Sequence, residues 1–137
     1  MSDIDAVGAI YRRLKEHPDI FRYVSGEVYR ESSPSGKWPL ITISIEHIAD
    51  TAVTPQDVQQ FSVTIICESL DQQECRHIRN KVMEVLNRQR WTADNTRIVS
   101  IAHQGGGEGS LMQGGASLAR NYYYQDLNFN VLARKAK

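Results

Sequence analysis

The sequence predicts an α+β fold of two layers, in which an antiparallel or mixed sheet of about four to five strands is covered by two helices. Three observations predict it. Two segments repeat apolar residues at helical spacing, several others alternate apolar and polar residues with a period of two, and the order runs helix, weak strand, two strands, helix, two strands. One sheet covered on one side would bury every apolar face in that order.

The first helix begins at Ser2, which can cap it, with Asp5 three residues on completing an approximate capping box. Ile4, Val7, Tyr11 and Leu14 follow at helical spacing with Ile10 beside them, and Pro18 is expected to close the segment. Gly26 to Arg30 reads as a short strand, and Ser32 to Gly36 as loop. Ile41, Ile43 and Ile45 then share one face of a strand whose other face carries Thr42, Ser44 and Glu46. After a break around Asp50 to Asp57, Phe61, Val63, Ile65 and Cys67 repeat that pattern opposite Gln60, Ser62 and Thr64. A sheet with one face buried and the other partly wet follows.

The second helix starts at Asp71, with Glu74 in its third position. Cys75, Ile78, Val82, Val85, Leu86 and Gln89 mark one face, and the helix is expected to end before Trp91. Asp94-Asn95 makes a turn, and Arg97 to His103 is a strand in which Ile98 faces away from Val99 and Ile101. Six of the nine glycines fall between Gly105 and Gly115, which predicts a mobile loop over 105–119. In the last strand, Arg120 to Ala133, Tyr123, Leu127, Phe129 and Val131 face inward. Tyr122, Tyr124, Asp126, Asn128 and Asn130 face outward. The chain reads as a single domain over 1–137.

Length and charge narrow the function. A chain of 137 residues buries ~68–70% of its unfolded surface and needs no disulfide or metal to hold a core. Sixteen basic and sixteen acidic side chains cancel, where a free-standing duplex-DNA binder would be basic. Neutrality also removes long-range repulsion between copies. The acidic start lacks the form of a signal peptide, and no apolar run has the roughly 18–20 residues of a membrane span, so a cytoplasmic setting is the default.

Candidate chemistry is sparse. Cys75 and His77 project about 200° apart on a helix, and Cys67 and Cys75 both fall on inward faces, as small core residues do. His17, His47 and His103 have no ligand spacing, and no cofactor motif is found. The glycine cluster lacks the lysine of a phosphate loop and is followed by a strand, not a helix. It reads either as an arm that orders against a neighbour or as a plain linker. Tyr122 and Tyr124 point away from the buried face, which suits a protein interface or an aromatic edge packed beneath other elements. Arg76, Arg79 and Arg88 give the second helix a basic face interrupted by Glu74 and Glu84.

The order of elements resembles the tail terminator (tail-completion) proteins of long-tailed bacteriophages. The residues that carry the resemblance are Ile10-Tyr11-Arg12-Arg13-Leu14 with Pro18, then Val28-Tyr29, then Trp38-Pro39-Leu40-Ile41-Thr42-Ile43. Phe61-Ser62-Val63-Thr64-Ile65 leads into the helix from Asp71, and Tyr123 to Val131 is similar to the closing strand. The long glycine-rich segment departs from the family's compact pattern.

The resemblance implies a structural virion protein and no enzyme. It would form a ring, typically a hexamer, that caps the tail tube, stops its polymerisation and docks the head and neck. The implied partners are further copies, the tube protein, a head-closure protein, a sheath protein if the tail is contractile, and duplex DNA passing through unread, with no membrane. Gly105, Gly106, Gly107, Glu108, Leu111, Met112, Tyr122 and Tyr124 are the candidate interface, and Arg76, Arg79 and Arg88 the candidate charged contacts. Residues 1–57 hold nine acids and six bases, and residues 58–137 seven acids and ten bases, a split of −3 and +3 that suits head-to-tail packing. The alternatives are another neck ring protein, or a small thiol- or metal-dependent hydrolase using Cys67 or Cys75.

Overall fold

A computed structural model describes residues 4–31, 38–50, 58–113 and 120–136. The order is α1 (Ala6–Glu16), α2 (Pro18–Val24), β1 (Val28–Arg30), β2 (Leu40–Asp50), β3 (Val58–Ser69), α3 (Gln72–Leu86), β4 (Trp91–Ala93), β5 (Thr96–Gln113) and β6 (Arg120–Lys135). Among the described residues the strands form one six-stranded mixed sheet in the order β1-β2-β3-β6-β5-β4, in which β1 and β2 run parallel and the other neighbours antiparallel. The fold is α+β as expected, with more strands and one more helix than the sequence suggested among the described residues.

The extra helix comes from Pro18. Its fixed φ suits the first helical position, where the missing N–H costs nothing. It therefore opens α2 instead of only closing α1, and His17 between them is extended, with its ring nitrogen accepting from the Asp19 N–H at 3.2 Å. The cap of α1 is Asp5, whose carboxylate accepts from the Gly8 N–H at 2.8 Å. Ser2, the expected cap, lies outside the described residues. Asp71 caps α3 as expected, accepting from the Gln73 N–H at 3.0 Å. That helix stops at Leu86, so Gln89 lies beyond it and Arg88 takes a positive φ of 61°.

The extra strand is β4, which forms a hairpin with β5 around Asp94, at φ 54°. A bulge changes the facing expected further along. Ile98 pairs with Ala133 and Ser100 with Leu132, so Val99 is an additional residue. Ile98 and Ile101 are therefore both buried, on one face and not on two.

The largest correction concerns the glycines. Gly105 to Gln113 is not a loop but the second half of β5, paired residue by residue with Asn128 to Arg120 of β6. Ladder hydrogen bonds use main-chain groups alone, so a strand needs no side chains where its partner is strongly patterned. Gly106 is even required, since a Cβ there would lie 1.9 Å from the Asp126 carbonyl oxygen. Residues 114–119, the rest of the expected loop, lie outside the described residues.

The core fills one face of the sheet. Ile41, Ile43, Val63, Ile65, Cys67, Leu127, Phe129 and Val131 meet Ile10 and Leu14 of α1, Ile20 of α2, and Ile78, Val82 and Leu86 of α3, all nearly inaccessible to water. The other face is half-buried and polar in its centre. There Thr64 Oγ1 donates to Asn128 Oδ1 and Gln60 Nε2 to Asn130 Oδ1, each at 2.8 Å. Trp91 joins the helices to the sheet, its indole N–H donating to the Ala9 carbonyl at 3.1 Å beneath the Arg13 guanidinium.

Candidate functional site

Two groups of residues that are far apart in sequence meet at one end of α3. Arg76 and Arg79 stand on its exposed side, because the apolar face made by Cys75, Ile78 and Val82 is turned to the sheet. The glycine half of β5 passes beside them, and between helix and strand lies an open cleft of about 320 Å³ lined by Arg76, Arg79, Asn80, Gly106, Gly107, Glu108 and Gln125.

Glu108 organises this cleft. Its carboxylate receives Arg76 in a two-pronged contact, Nε to Oε1 and Nη2 to Oε2, both at 3.2 Å. Gln125, directly across the ladder, also donates to it. The Arg76 hydrogen bond, with help from Gln125, holds the Glu108 carboxyl below the usual range. Arg79 makes a contact to Asn80 Oδ1 at 3.2 Å.

The aromatic residues form a neighbouring patch on the other face. Tyr122 stacks on Trp38 with ring centres 4.9 Å apart and planes at 26°. Trp38 is fixed in turn by donating its indole N–H to Glu68 at 3.0 Å. Burial, and then the nearby Glu68, raise the Tyr122 phenol above its ordinary value. Tyr124 reaches over Gly109, where an added Cβ would lie 2.7 Å from its hydroxyl oxygen. The glycine thus makes room for the tyrosine. Leu111 and Met112 sit in β5 opposite Tyr122 and Asn121.

The structure therefore brings Gly106, Gly107 and Glu108 together with Arg76 and Arg79, while Tyr122 and Tyr124 occupy the opposite face of the same ribbon. Arg88 is set apart. It follows the C-terminal end of α3, its N–H donates to the Ile101 carbonyl at 2.8 Å, and it borders a different cleft with Ser100 and Ala102. Sequence reasoning missed two exposed apolar side chains, Phe21 and Leu70, which are 55% and 42% accessible. A signal existed for Phe21, since the spacing of Ile20 and Val24 leaves it off the buried stripe.

The thiols are placed for packing. Cys67 and Cys75 are both buried, and Cys75 Sγ donates to the Cys67 carbonyl at 3.1 Å. Burial raises both pKa values, that of Cys75 to about 12. A nucleophilic thiolate requires the opposite shift. Among the described residues, no group of three or more His, Cys, Asp or Glu side chains could hold a metal.

Comparison with known proteins complements this geometry. The family described as tail completion protein gp17 matches residues 8–115, well over half of the chain. No curated protein matches. Among solved structures, a chain from a structure titled "Virion of native gene transfer agent (GTA) particle" superposes with a TM-score of 0.66 over 94% of this chain and 98% of that one. The two are 14% identical, so the likeness is one of fold.

Proposed function

The chain belongs to the tail completion protein gp17 family, and from that premise we propose that it forms a ring that caps the tail tube, ends tube growth and presents a docking surface to the neck. Membership makes it a structural component of a bacteriophage tail. The ring, its hexameric count, the tube and head-closure partners and the contact with sheath in a contractile tail belong to the proposal.

The observation that carries this reading is the β5–β6 ribbon. It joins Glu108, clamped to α3, on one face with Tyr122 and Tyr124 on the other, in a sheet whose end strands are only three residues long. Aromatic groups and open strand edges are surfaces that protein partners use. The net charge of zero and the −3/+3 division along the chain favour contact between unlike parts of neighbouring copies. A neutral protomer also suits a bore through which duplex DNA must slide without being held.

Electron microscopy of particles assembled without this protein tests the reading. Overlong tails are expected. Tails of normal length with heads that leak DNA would instead identify a head-closure ring. The charge division has its own test: assembly should weaken as salt rises from about 50 mM toward 1 M, where screening acts within about 3 Å. Equal assembly at both ends of that range would remove electrostatics from the account.

A further inference from the structure

The register of the sheet shows which backbone edges are open at the same height. One row runs Val28, Ile41, Cys67, Gln125, Glu108, and a second runs Arg30, Ile43, Ile65, Leu127, Gly106. Between them runs Tyr29, Thr42, Ile66, Asp126, Gly107. At these heights β1 ends the sheet on one side and β5 on the other, because β4 covers only Thr96 to Ile98.

The main-chain groups on both edges are oriented outward in matching rows. On β1, the Glu27 carbonyl accepts from Ile41 and the Glu31 N–H donates to Ile43, so the Val28 carbonyl and both groups of Arg30 turn the other way. On β5, Ile101 and His103 face away from β6, where Arg88 and Asn87 cover them. Gly107 faces β6, donating to Asp126 Oδ1. Alternation then turns Gly106 and Glu108 outward. No described strand pairs with that stretch of edge, and it carries neither proline nor lysine, the usual protections.

We propose, building on the ring reading, that β1 of one copy adds to β5 of the next. Arg30 lies opposite Gly106 as a hydrogen-bonded pair, the Val28 carbonyl accepts from the Glu108 N–H while the Val28 N–H stays on the Gly26 carbonyl, and Tyr29 lies opposite Gly107. The directions agree. Through the sheet β1 runs antiparallel to β5, so a rotation about an axis along the strands, without sliding, brings the two edges together in this register. The contact is head-to-tail and can close into a ring. It also gives the glycines a use. Gly105 and Gly107 present no side chains on the face where Tyr29 stands, leaving room for its ring beside Tyr124, which covers Gly109.

Cysteine pairing tests the register. Tyr29 and Gly107 would form a non-hydrogen-bonded pair with Cα atoms about 4.5 Å apart, within the disulfide range of about 4.4–6.8 Å. Cys67 and Cys75 are buried and stay out of the reaction. A chain carrying Tyr29→Cys and Gly107→Cys should give a ladder of covalent oligomers on mild oxidation at high concentration. A chain carrying Tyr29→Cys and Leu111→Cys, about 13 Å off register, should not. No ladder, or equal ladders from both, overturns the proposal. The unmodified chain gives an independent reading: amide exchange at Arg30, Gly106 and Glu108 should slow about tenfold or more as concentration rises, with Gly107 unchanged. Absence of that slowing also overturns it. Assembly by light scattering without ladder or slowing removes this contact and leaves the ring standing, whereas normal-length tails without the protein remove the ring itself.

Discussion

Single residues decide how the glycine strand and the core behave. Gly106 admits nothing larger, since its Cβ position lies 1.9 Å from the Asp126 carbonyl oxygen, while Gly107 has 3.6 Å to the nearest side-chain atom. Gly106→Ala should therefore cost about 1–3 kcal/mol in urea unfolding, with Gly107→Ala close to neutral. The thiols give a pH signature. Their folded pKa values lie above the unfolded value of about 8.5, so the unfolded chain releases protons that the folded one retains. Stability is thus fully present below pH ~8.5 and falls as pH rises toward about 12, by up to about 1.4 kcal/mol per pH unit per thiol. Replacing both Cys67 and Cys75 by Ala should flatten that fall, and unfolding curves from pH 8 to 11 would show it. The inward placement of both cysteines was legible from period alone. The positive φ of Arg88 was not, because it follows from how α3 meets β5 at Ile101.

At the scale of elements, local chemistry and tertiary pairing were unequally readable. Asp71 capping α3 follows from the sequence, and Asp71→Ala should lower stability by about 1 kcal/mol in thermal unfolding. Two long strands, β2 and β3, were visible because one face is strictly apolar. β5 was hidden beyond His103, since glycines carry no period and only the partner strand β6 holds them straight. Pro18 was ambiguous for a related reason: its geometry fits both the end of one helix and the start of the next. The Arg76–Glu108 clamp joins α3 to this otherwise featureless half of β5 at 3.2 Å. Glu108→Gln should leave the unfolding midpoint nearly unchanged while speeding amide exchange along Gly105 to Gly109, an effect that high salt should mimic in the wild type. Unchanged exchange would mean that the β6 ladder alone holds the ribbon.

For the whole molecule, the fold class and most of the element order, α2 and β4 excepted, could be read from the sequence, because amphipathic faces must be buried against one another. The assembly surface could be read only in part. Glycines, arginines and tyrosines each stood out by composition, but that two of these groups share a cleft, with the third on the reverse face, depends on strand register. One further feature belongs at this scale. The Asp5 N–H donates to Thr96 Oγ1 and the Ala136 N–H to the Asn95 carbonyl, both at 2.8 Å, so two residues near opposite ends of the sequence bind adjacent residues of one hairpin. Residues 5 and 136 are thus held close to one another in space. A circular permutant, with residues 5 and 136 joined through a short linker and new ends opened at the exposed corner beside Leu70, should keep the same sheet and helices.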